Sequence, residues 1–227
     1  MPQFDITFHN GQRHFIGFGY VTVRDLESEG IRFTVCVCGV DFLMPVFWGI
    51  PARYDGWSFT GFGPLVQAHS KLQSEGKEPP MIGLFYDTSI LQWNDFRRSG
   101  SGQYHVDLST DFGKDWFYTA MRDYFSLIPP TKWARIDGKP IVFLYSGHFA
   151  KGQDGGQFDY VKKRFRKDFG IEPFIVKAQD WKGKTDATFN LEQCWFMNRC
   201  NGVDFRLAIL GGELTVSKVG LERPLLR

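Results

Sequence analysis

Long apolar runs, a charge excess of either sign and a usable set of cysteines are all missing from this sequence. No apolar stretch approaches the roughly 18 residues that a membrane-spanning helix needs. The N-terminus, Met1-Pro2-Gln3-Phe4-Asp5, has no basic region followed by an apolar one, so no signal peptide is expected. Lys and Arg number 27 against 25 Asp and Glu, a net charge of +2 in 227 residues. That balance offers no electrostatic footprint for nucleic acid and no polybasic patch for a membrane. The four cysteines, Cys36, Cys38, Cys194 and Cys200, match no common zinc spacing and are too sparse for a disulfide framework. They read as small buried hydrophobes. The chain also lacks a Gly-x-Gly-x-x-Gly turn, a P-loop, a Gly-x-Ser-x-Gly elbow and a His-Glu-x-x-His helix. Dinucleotide chemistry, phosphoryl transfer, α/β-hydrolase chemistry and zinc proteolysis are therefore unsupported. No cofactor and no metal is expected.

Aromatic residues, by contrast, are abundant at 17%: 23 Phe, 8 Tyr and 7 Trp. They either pack a core or line a ligand cleft. Four apolar runs read as buried parallel strands: Thr34–Val46, Met81–Tyr86, Pro140–Tyr145 and Pro173–Ala178. Helical periodicity lies between them, over Gly61–Glu75, Asp115–Leu127 and Phe158–Phe169. Gly76, Pro129-Pro130 and Gly170 stand as the respective stops. The basic run Lys162 to Lys167 reads as the solvated face of the third helix. Alternating strands and helices predict an α/β fold with a parallel sheet. Leu91–Asp111 is expected to be a long loop, the kind of segment on which sites are built. Residues 191–227 show no βα rhythm.

Sites in parallel α/β folds lie at the carboxyl ends of the strands. Those ends carry Trp48, Tyr54, Asp55 and Trp57, then Tyr86 and Asp87, then Tyr145, Ser146 and His148, then Asp180 and Trp181. Carboxylates beside aromatic rings suit glycosidic cleavage, which needs an acid for the leaving oxygen and a base or nucleophile across the ring. Each residue also has a structural reading. Asp87 caps the turn that follows it and Asp180 a turn before Lys182-Gly183-Lys184, His148 is a loop histidine, and Asp41 is a buried hydrogen-bonded group. Trp57, Trp93 and Trp181 lie outside helical faces and are stacking candidates, whereas Trp116 and Trp133 read as core.

The stretches Gly39–Gly49, Pro79–Ser89 and Ile128–Tyr145 resemble an uncharacterised bacterial family of glycoside-hydrolase-like (β/α)8 barrels. The last of them contains Trp133, then Ile136-Asp137-Gly138-Lys139-Pro140, then an apolar strand. That family is distantly similar to endo-α-mannosidase and α-1,3-glucanase enzymes. The resemblance covers roughly residues 36–190. It implies a TIM barrel acting on a polysaccharide or glycan, with Asp87 as the acidic residue at a strand end. The late Asn-Glu-Trp-type acidic motif of those enzymes has no counterpart in residues 191–227. A complete barrel takes about 250 residues, and only four to five βα units are recognisable here. The expectation is an incomplete TIM-type barrel over residues 1–190 with a tail over 191–227, self-associating through an uncovered sheet edge. Asp87, Asp180 and His148 are the candidate catalytic residues. Trp48, Trp57, Tyr86, Tyr145 and Trp181 are the candidates for carbohydrate contact. The alternatives are a non-catalytic carbohydrate-binding or degenerate barrel, and a deacetylase-like metal site on Asp87 and His148.

Overall fold

The structure, a computed structural model, describes residues 3–7, 13–19, 41–94, 104–189, 204–210 and 213–219. The first two and last two strands, and Trp57, are described by their backbone. The readings placed on the four cysteines and on residues 34–40 lie outside the described residues.

Two strands lead, β1 (Gln3–Thr7) and β2 (Arg13–Gly19), paired antiparallel. Then come β3 (Phe42–Phe47), a short helix α1 (Trp57–Thr60), α2 (Phe62–Ser74), β4 (Met81–Ile82) and β5 (Leu84–Tyr86). After them run α3 (Asp111–Ser126), β6 (Arg135–Ile136), β7 (Lys139–Leu144), α4 (Gln157–Phe169), β8 (Phe174–Ala178) and β9 (Ala187–Phe189). Two further strands, β10 (Asp204–Leu210) and β11 (Glu213–Val219), form a second antiparallel pair. β3, β5, β7, β8 and β9 are neighbours in that order and all parallel. Three helical crossovers link the first four of them. The parallel βα arc is thus part of a TIM-like barrel, and its own five strands do not pair end to end. Its ends pair with strands from the two antiparallel pairs, β3 with β2 and β9 with β11. β1 and β10, paired in parallel, join those two antiparallel pairs.

Local chemistry explains the elements. Thr110 caps α3, its hydroxyl accepting from the Gly113 N–H at 3.1 Å, and Asp111 follows in the first turn where the helix dipole favours an acid. α4 ends on Gly170 in the left-handed conformation, φ 75°. Asp137 and Gly138, φ 49° and 76°, form the two-residue turn of the β6–β7 hairpin, in which Ile136 faces Lys139. The Ile-Asp-Gly-Lys-Pro segment is therefore a hairpin that launches β7.

The expected strand over Met81–Tyr86 is broken in two at Gly83. A Cβ there would stand 2.3 Å from the Met44 sulfur, so any larger residue would have to displace that buried side chain. The Tyr124 hydroxyl donates to the Gly83 carbonyl from α3. Asp41 corrects its expectation: it is exposed, one residue before β3, and its carbonyl accepts from the Met81 N–H at 2.9 Å.

The two faces of the sheet carry different aromatic clusters. Phe47 and Tyr86 point to the helices, where Phe47 meets Phe62 of α2 and Tyr124 of α3, and Tyr86 stacks on Phe117. Phe125, Trp133, Phe165 and Phe169 continue this layer between α3 and α4. Trp116 and Trp133 are buried, as expected of core residues. On the opposite face Phe85 stacks on Phe143, and Phe143 meets Phe189 at 4.5 Å. No helix among the described residues is long and apolar enough to cross a membrane.

Candidate functional site

The strand register builds the site. Val46 pairs with Phe85, Phe85 with Phe143, and Phe143 with Val176, all on the face away from the helices. Side chains alternate along a strand, so the residues two steps further on share that face. They are Trp48, Asp87, Tyr145 and Ala178. Two backbone bonds carry the pairing past the strand ends: the Asp87 N–H donates to the Phe47 carbonyl (2.9 Å) and the Tyr145 N–H to the Tyr86 carbonyl (3.1 Å). One row at the carboxyl edge therefore reads Trp48, Asp87, Tyr145. An acid stands between two half-buried aromatic rings, with the Phe85–Phe143 stack beneath. Tyr145 leans on Phe85 and stacks on Phe149.

Asp87 caps the short 3₁₀ turn Thr88–Leu91. Its Oδ1 accepts from the Ser89 N–H (3.1 Å) and the Ser89 hydroxyl (2.6 Å). The Ser89 hydroxyl in turn accepts from the Trp48 indole N–H at 2.9 Å. The cap and the site candidate are thus one residue, because the cap occupies a single carboxyl oxygen.

Asp180 follows β8 and is exposed. Its Oδ2 accepts from the Ser146 hydroxyl and from the His148 backbone N–H (3.0 Å). The 3₁₀ turn Gly147–Phe149 after β7 is capped by Ser146, whose hydroxyl oxygen accepts from the same His148 N–H at 3.1 Å, and Asp180 braces that cap instead of the Lys182-Gly183-Lys184 turn that follows it in sequence. His148 contributes this backbone donor, while its ring is exposed with an edge toward Phe149. Ser146, Asp180 and His148 are neighbours, but the serine bonds the aspartate directly and the imidazole does not stand between them. A relay of the Ser-His-Asp kind is not assembled. The Thr88 hydroxyl donates to the Ser146 carbonyl at 2.6 Å and joins the Asp87 turn to the Ser146 turn.

Two candidates for carbohydrate contact are corrected by burial. Tyr86 is 0% exposed and Trp181 3% exposed. Both face the helices, where Trp181 packs on Phe117 and Phe158 and its indole N–H donates to the Tyr145 carbonyl. Neither offers a ring face to a ligand. Burial, and then the neighbouring Asp87 carboxylate, push the Tyr86 phenol well above its ordinary range. Trp57 begins α1, and its side chain lies outside the described residues. Trp93, at 48% exposure, lies just past the Asp87 turn, with its N–H on the Ser89 carbonyl.

Three hydroxyl residues at the strand ends, Thr88, Ser89 and Ser146, carry no assigned role at the level of sequence, and one lysine was missed. Lys177 lies on the helix side of β8, and its ammonium donates to the Trp181 carbonyl at 2.9 Å. Burial pushes this group down, and Asp180 pulls it partly back. The Asp87-Thr88-Ser89 spacing, an acid two residues before a hydroxyl, was the available signal for the turn. Among the described residues no group of three His, Cys, Asp or Glu side chains could hold a metal ion.

An α/β sheet with parallel strands, helices on one face and a polar and aromatic carboxyl-end rim on the other defines the class: part of a TIM-like barrel. Within that class the chain belongs to the family described as "Domain of unknown function (DUF5010)", whose model matches residues 34–208. Among solved structures the chain is similar to a "Glycoside hydrolase-like protein", at 18% identity and a TM-score of 0.47. The similarity covers 67% of this chain, which spans only 46% of that protein. No curated protein matches the sequence.

Proposed function

We propose that this domain acts on a polysaccharide or glycan at the carboxyl edge of its parallel strands, with Asp87 as the reacting carboxylate. The observation that carries this reading is the row Trp48–Asp87–Tyr145, an acid framed by two rings that can lie against a sugar's apolar faces. The sequence resemblance to endo-α-mannosidase-like barrels supports the same position for the acid. In a hydrolytic cycle Asp87 serves as base or nucleophile through Oδ2, and a second carboxyl group protonates the leaving oxygen. Asp180 is the candidate for that second group, through its Oδ1.

A second reading is binding without turnover. The commitment of Asp180 Oδ2 to a turn favours it, because a bracing carboxylate is a poor proton donor while it holds two donors of its own. One experiment separates the two. Asp87→Asn keeps the shape of the site and should lower hydrolysis of a responsive glycan by about 100-fold or more, with binding retained. Wild-type binding without turnover on a broad glycan panel selects the second reading. Unchanged turnover in Asp87→Asn removes Asp87 from the chemistry.

A further inference from the structure

The turn Asp87-Thr88-Ser89 has a twin in Asp107-Leu108-Ser109. There too the aspartate Oδ1 accepts from the serine N–H, at 3.1 Å, and from the serine hydroxyl. The twin shows what this turn does as a purely structural device. It shapes the chain ahead of α3, where Thr110 takes over as the cap. At Asp87 there is one addition, the Trp48 indole N–H on the Ser89 hydroxyl.

That addition fixes the direction of every proton in the chain of bonds. An indole N–H can only donate, so the Ser89 oxygen must accept from it. The single hydroxyl hydrogen of Ser89 is then left for Asp87 Oδ1, 2.6 Å away, alongside the Ser89 N–H. Oδ1 holds two donors and is fully engaged, which leaves Oδ2 as the oxygen available to a ligand. The Trp48 ring, held at its nitrogen, cannot turn without breaking the same chain. The register independently brings Trp48 beside Asp87 on the face away from the helices.

We propose that Ser89 is a positioning residue that locks the Trp48 ring and the Asp87 carboxylate together as one unit. This rests on the proposed action of Asp87 on a glycan. Ser89 itself does not touch the sugar. It presents Oδ2 and holds the ring plane against which the sugar lies, so its loss affects both turnover and binding. Breaking one such bond to a charged group corresponds to roughly a 10- to 100-fold fall in kcat/KM.

The test uses the full chain labelled with ¹⁵N at its tryptophan indoles, with Trp48→Phe assigning the resonance. Ser89→Ala and Asp87→Ala should each move the Trp48 indole N–H signal, and Ser89→Thr should restore it. On a glycan that the wild type turns over, Ser89→Ala should lower kcat and raise KM together. Ser89→Thr should recover both, and Ser109→Ala, in the twin turn, should change neither. An indole signal indifferent to Ser89→Ala overturns the coupling. Unchanged kcat and KM in a Ser89→Ala protein whose indole signal has moved overturns the positioning role. If the wild type neither binds nor cleaves any glycan, the sugar reading falls, and the indole signal alone decides whether the unit exists.

Discussion

Replacing Trp181 by alanine separates a packed ring from an exposed sugar platform. The side chain is 3% exposed, stacked on Phe117 of α3 at 5.6 Å and against Phe158 of α4 at 5.7 Å. Its truncation opens a cavity between sheet and helices and strips the Tyr145 carbonyl of the indole donor. Large aromatic-to-alanine changes in cores cost about 3–5 kcal/mol. A domain of this size loses about 2–4 °C of melting temperature per kcal/mol, so a fall of about 6–20 °C is expected. Trp181→Phe keeps a ring on Phe117 and gives up only the long N–H bond and some volume, and should cost about 1.5 kcal/mol or less. Thermal melts followed by circular dichroism, with urea unfolding as a second measure, read both variants. A Trp181→Ala protein that melts within about 2 °C of the wild type would refute the burial argument. Lost glycan binding at unchanged stability would return Trp181 to the list of ligand contacts.

Two glycines predict effects of opposite sign. A Cβ on Gly113 would lie 1.9 Å from the Asp107 carbonyl oxygen, a backbone atom that cannot step aside, so Gly113→Ala should cost about 2 kcal/mol or more in urea unfolding. Gly63, inside α2, has nothing within 4 Å of such a Cβ, and Gly63→Ala should gain about 0.5–1 kcal/mol. His69 is buried on α2 with the Lys132 ammonium 3.3 Å from its Nδ1, and burial followed by that charge hold its pKa below the ordinary 6.5. The unfolded chain then takes up a proton near pH 6.5 that the folded chain refuses. The His69 contribution is therefore complete above that pH and lost as pH falls below it. Urea midpoints taken from pH 7.5 to pH 5 should drop less in His69→Gln than in the wild type, and parallel profiles would contradict this.

The helix layer was legible because its periodicity is carried by large aromatics. α2 and α4 fall within a residue or two of their expected bounds, and Gly170 ends α4 as its type suggests. α3 begins four residues before the periodic stretch, at Asp111. Gly113 weakens the helical pattern there, yet it is present because the Asp107 carbonyl leaves no room for a side chain. At Gly83 an apolar run reads as one strand, and the Met44 sulfur that crowds this glycine comes from a different strand. The strand ends were recognisable from sequence, and Trp48, Asp87 and Tyr145 were placed at them. Their common face followed from alternation and register once the strands were paired. Tyr86 and Trp181 were misread because their position in the chain carries no record of which side of the sheet they take. Asp180 was expected to cap the turn that follows it; its carboxylate instead braces the Ser146 cap some 30 residues earlier, and contacts across that interval leave no local pattern.

The loops that bear the candidate residues are knitted to one another. The Thr88 hydroxyl holds the Ser146 carbonyl, the Val106 N–H holds the Leu91 carbonyl, and the Lys151 N–H holds the Val106 carbonyl. The Asn94 amide bridges the carbonyls of Ile90 and Tyr104, and the Leu108 N–H reaches Gly152. Segments 88–94, 104–108 and 146–152 thus behave as a single braid at the carboxyl ends of β5 and β7. Anyone reshaping the specificity of this scaffold by loop exchange would have to transplant the braid whole. A single swapped loop would arrive without the strands of hydrogen bonds that give its neighbours their shape.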